Sequence, residues 1–149
     1  MASTVAPTPT SVTSFLSHRP VWQVSYLSGL AASVAVEAVG LVARAAGVPM
    51  RAAGFGAHHA SSITVGMFAM GAMVVTFWFT FAVALMVRFA TNPRRVYLCV
   101  ALPLLVLSLG VPLSAADTAT STKLTLAAAH LVAGAIIIPV TARRLSLTR

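Results

Sequence analysis

The chain has 149 residues, 58% of them hydrophobic and 8% charged, with a mean hydropathy of +0.93 and a formal charge of +8. A water-soluble domain of this length needs far more surface charge, so that class is excluded. The positive balance is not a nucleic-acid footprint either: the cations stand at the ends of apolar runs, where they read as topology signals and contacts to anionic lipid.

Residues 1–19 are rich in Ser, Thr, Pro and Ala and bury too little to offset their chain entropy, so a disordered cytoplasmic tail is expected. A first span is predicted at about 21–46, opened by Pro20 and stopped by Gly47 and Pro49. Ala43-Arg44-Ala45 resembles a signal cleavage site. The apolar run before it is longer than a signal core, however, and holds Glu37, so an uncleaved helix is the better reading. Ser25, Gly29, Ser33 and Glu37 recur every fourth residue and share one face. Small residues at that spacing let a neighbouring helix come close, which turns Glu37 into a bundle rather than toward lipid.

A Gly/Ala-rich loop follows, with Arg51, His58 and His59. Adjacent histidines diverge on a regular helix, and a solvated pair is expected. The second span, about 63–88, has Met67, Met70 and Met73 in its first half and Phe77, Trp78, Phe79 and Phe81 in its second, which is packing material. After a turn broken by Asn92-Pro93, a third span is expected at about 95–116, kinked at Pro103 and Pro112. A short turn from Asp117, read as a cap, joins it to a fourth span at about 122–142 and a basic tail.

These elements make an all-α integral membrane four-helix bundle of two antiparallel hairpins in residues 20–145. Arg19, Arg88, Arg94, Arg95, Arg143, Arg144 and Arg149 fall on one side, and Arg44, Arg51 and Lys123 on the other. That asymmetry puts both termini in the cytoplasm of a multi-pass protein of the bacterial plasma membrane.

Few polar residues lie in the spans. Ser108 and His130 are equally far from the turn between the last two spans, so an antiparallel hairpin sets them at one depth. Ala127, His130 and Gly134 share a face, with Gly134 admitting a neighbouring helix. His130 reads first as an imidazole that fixes packing, and second as an ionisable site. A carboxylate at depth needs a partner, and His130 or Arg44 would serve Glu37. A Glu37–His130 pair with Ser33 and Ser108 beside it would make a proton or cation site. The single Cys99 excludes an intramolecular disulfide. With one histidine inside a span, bis-histidine haem ligation is disfavoured. No metal motif, nucleophile set or phosphate loop is present, so no cofactor and no enzyme activity are expected.

The stretch from Ser108 to Pro139 is distinctive: Ser108-Leu109-Gly110, Pro112-Leu113-Ser114-Ala115-Ala116, a Thr-rich turn, then His130 before a Gly/Ala/Ile-rich run. It resembles a family of small four-span membrane proteins common in actinobacteria, domain of unknown function 6069. The resemblance implies a four-helix membrane fold with Ser108, Pro112 and His130 as its recognisable positions, and it implies no activity. The functional expectation is a non-enzymatic subunit or accessory protein in the lipid bilayer, assembled with itself or in a larger membrane complex. The alternative is an oligomer that passes protons or a small solute along Glu37 and His130.

Overall fold

A computed structural model describes residues 14, 18–54 and 56–147. Most of the expected N-terminal tail lies outside the described residues. In chain order the elements are α1 (Val21–Ala45), β1 (Arg51–Ala52), β2 (Ser61–Ser62), α2 (Met67–Phe89), α3 (Pro93–Ser114) and α4 (Thr120–Ser146). The two strands form a minimal antiparallel pair, with Arg51 opposite Ser62 and Ala52 opposite Ser61. Among the described residues the fold is otherwise helical, and each of the four helices is long and apolar enough to cross a membrane.

The helix ends follow local chemistry. At the carboxyl end of α1, Gly47 takes a φ of +80°, and the amides of Gly47 and Val48 return to the carbonyls of Arg44 and Ala43. Only glycine enters that left-handed conformation without a Cβ penalty, and the paired bonds satisfy carbonyls a helix otherwise leaves open. At the amino end of α3, the Asn92 side chain accepts the Arg95 N–H at 3.3 Å, and Pro93 occupies the first helical position, where no donor is needed.

The first helix is the hub: α2 packs along one side of it and α4 along another, whereas α3 leans on α4 and scarcely meets α2. Against α2 the first helix presents small residues. Thr80 Oγ1 donates to Ser25 Oγ at 3.4 Å, Gly29 faces Thr76, and Gly40 faces the ring of Phe68. Two apolar clusters fill the interior. One, at the end bearing the termini, joins Val21, Val83, Tyr97, Ala101, Ala142 and Leu145; the other joins Val36, Met50, Phe68 and Ala129. The remaining apolar surface points outward, with Trp78 65% and Leu107 70% exposed, as lipid-facing side chains are.

The α3–α4 seam is held by Tyr97, whose hydroxyl donates to the Ile137 carbonyl at 3.5 Å and whose ring meets Phe79 edge-on. Gly134 sits opposite Leu105, and a Cβ built there would come within 2.7 Å of a Leu105 methyl carbon. That contact is with the tip of a flexible side chain, which can rotate aside. Gly134→Ala is therefore expected to cost under about 1 kcal/mol in reversible unfolding in detergent, helped by alanine's better helix propensity.

Several boundaries differ from the sequence expectation. The second helix starts at Met67 instead of 63, because Gly66 caps it at a φ of +90° and Ile63 is engaged in donating to the Met50 carbonyl. The last helix runs on to Ser146 rather than 142: Leu145 is buried in the core, and Arg144 Nε donates to the Arg19 carbonyl at 2.8 Å. The third helix spans Pro93–Ser114 and is unbroken at Pro103 and Pro112; a further internal proline, Pro139, lies in α4.

Candidate functional site

The end of the bundle remote from the termini is closed by the long α1–α2 connection and the short α3–α4 turn. The Ala53 N–H donates to Thr118 Oγ1 at 3.1 Å, the Ala60 N–H to Asp117 Oδ2 at 3.1 Å, and Thr122 Oγ1 to the Pro49 carbonyl at 2.9 Å. Asp117 was expected to cap the last helix. Instead it adopts a φ of +46° and holds the opposite loop, while Ala119 occupies the cap position with no side-chain bond. Aspartate tolerates that left-handed conformation better than most residues. The histidine pair expected in a solvated loop, His58 and His59, is exposed beside this closure.

Glu37 is half-buried and held at both carboxylate oxygens. Its Oε1 accepts the Gly66 N–H at 2.7 Å and its Oε2 the Ala69 N–H at 3.1 Å. Both donors belong to the first turn of α2, where backbone amides lack partners and the helix dipole favours an anion. A carboxylate from one helix thus caps another, two turns short of α1's own end. This partner differs from both that the sequence offered, since among the described residues Glu37 has no ion pair or hydrogen bond to His130 or Arg44. Arg44 instead keeps its Nε and Nη2 buried without an acceptor.

The other three residues of the expected polar site turn to their own helices. Ser33 Oγ donates to the Gly29 carbonyl at 2.8 Å and Ser108 Oγ to the Leu105 carbonyl at 2.7 Å. His130 Nδ1 lies 2.7 Å from the Leu126 carbonyl, a bond that requires the hydrogen on Nδ1. The register set by Gly134 against Leu105, and by Lys123 Nζ on the Leu113 carbonyl, places Ser108 level with His130 on adjacent helices. No hydrogen bond joins the two among the described residues.

Ser33, Glu37, Ser108 and His130 are therefore half-buried or buried but not connected into one polar track. Nor, among the described residues, do three or more His, Cys, Asp or Glu side chains gather as a metal set. What the sequence missed was the Glu37 partner: the signal was Gly66, a glycine three residues after the expected start of the helix. No similar protein was found among curated proteins or among solved structures. A family model does match, over residues 16–147, nearly the whole of this bundle. The chain is a member of that family, the family of unknown function DUF6069.

Proposed function

We propose that this multi-pass membrane protein is a non-enzymatic subunit or accessory protein of a larger membrane assembly, set in the bacterial plasma membrane with both termini cytoplasmic. One observation supports this reading: the polar side chains that could have formed a track through the spans are each taken up separately, one by a neighbouring helix end and the others by their own helices. Glu37 caps α2, and Ser33, Ser108 and His130 bond carbonyls of their own helices. The excess of arginines at the terminus-bearing end supports the orientation.

The partner surface in this reading is outward and apolar. The small-residue stripe of α1 is already covered by α2, which leaves the exposed faces of α2, with Phe77 and Trp78, and of α3, with Val106 and Leu107. Purification from the native membrane with cross-linking and mass determination tests it. The expected result is a fixed heteromeric complex, weakened by Trp78→Ala while the protein still folds. A homo-oligomer that carries a pH-dependent flux in proteoliposomes, abolished by Glu37→Gln or His130→Ala, would refute the proposal and establish translocation in its place.

A further inference from the structure

We infer that the arginine-rich end of the bundle holds the phosphate of an anionic phospholipid in a defined recess. A depression of about 400 Å³ opens where the end of α2, the α2–α3 turn and the end of α4 meet. Thr91, Asn92, Arg94 and Ser146 line it, together with Val87 and Leu145.

The recess offers donors with few internal claims on them. The Asn92 carboxamide oxygen is occupied by the Arg95 N–H, which leaves its NH₂ group to donate outward. Pro93 has no N–H, and among the described residues the Arg94 amide makes no hydrogen bond, so the first turn of α3 retains an open donor. The Thr91 hydroxyl and the Arg94 guanidinium complete the set, and a guanidinium fork matches two phosphate oxygens at once. Ser146 already donates to the Arg143 carbonyl and contributes only its oxygen.

Among the described residues, the side-chain charges around the recess have one sign. Among the described residues this end carries Arg19, Arg88, Arg94, Arg95, Arg143 and Arg144 and no acid. Both acids of the chain are held toward the other end, Glu37 at the start of α2 and Asp117 in the far turn. Arg144 is only 8% exposed, and its Nη1 is buried without an acceptor in the residue next to Leu145 and Ser146. A cluster of cations beside a low-dielectric interior raises the local concentration of anions.

A phospholipid fits better than a free anion because the recess lies where the spans end, the depth of lipid phosphates. Arg88 rests its guanidinium 5.7 Å from the centre of the Phe89 ring, an interfacial arrangement.

The test is native mass spectrometry of the delipidated protein titrated with phosphatidylglycerol or phosphatidylcholine. Phosphatidylglycerol should be retained roughly ten-fold more tightly, and Arg94→Gln should lower its retention about ten-fold, the worth of one charge-assisted fork. Arg95→Gln removes the same charge outside the recess and should leave retention nearly unchanged. Thr91→Val, a milder change that spares the helix end, should weaken it about three-fold and decides the matter if Arg94→Gln fails to fold. Equal losses from the Arg94 and Arg95 variants, or no preference between the lipids, would overturn the site. Displacement of phosphatidylglycerol by millimolar inorganic phosphate would assign the recess to a soluble anion and overturn the lipid.

Discussion

Gly29→Ala is expected to destabilise the bundle by about 1–3 kcal/mol, although alanine is the better helix former by nearly 1 kcal/mol. A Cβ at Gly29 would stand 2.0 Å from Thr76 Cγ2, 2.3 Å from its Oγ1 and 2.7 Å from its Cβ. Thr76 is β-branched, 3% exposed and seated in the middle of α2, so it cannot swing clear as Leu105 can at Gly134. Relief requires α1 and α2 to separate, which loosens the Ser25–Thr80 and Gly40–Phe68 contacts above and below. Gly29→Leu should prevent folding altogether. The check is a double-mutant cycle with Thr76→Gly, read by reversible unfolding in detergent. The pair should recover at least 1 kcal/mol relative to the sum of the single changes. Simple additivity would mean that the two helices do not meet at this point.

Glu37→Ala should cost about 2–4 kcal/mol, from the loss of two charge-assisted bonds and a favourable charge at a helix amino end. Two amides at the start of α2 would lose their acceptor, that of Ala69 in a partly buried setting and that of Gly66 in an exposed one. Glu37→Gln keeps one acceptor but brings an NH₂ group against an N–H, so about 1–2 kcal/mol is expected. Hydrogen exchange locates the effect. Protection of the amides from Gly66 to Met70 should fall in both variants, while that of α3 and α4 stays near the native level. An Ala variant with undisturbed exchange at the start of α2 would remove Glu37 from its capping role.

These two results also separate structural from functional meanings of the same residues. Ser25, Gly29, Ser33 and Glu37 form one stripe in the sequence, and in the bundle α2 lies along it. A bulky change at Gly29 therefore reports on the fold of one chain, and association with other proteins has to be probed from outward positions such as Trp78.

Composition and hydropathy were enough to establish four membrane-crossing helices, because span length and apolar content are local properties of each run. Helical spacing alone put Ser25, Gly29, Ser33 and Glu37 on one face, and equal distances from a tight turn put Ser108 and His130 at one level. Only the tertiary structure decided which groups those faces meet. Glu37 finds the amino end of α2 because the 46–66 connection folds back and lets that helix begin beside the middle of α1. His130 and Ser108 stand level yet bond to their own helices, since a carbonyl one turn away is always within reach and a partner on the next helix depends on rotation about the axis. Hydrogen-bond partners across helices are non-local, and one-dimensional periodicity carries no record of helix rotation or of where a loop returns the chain.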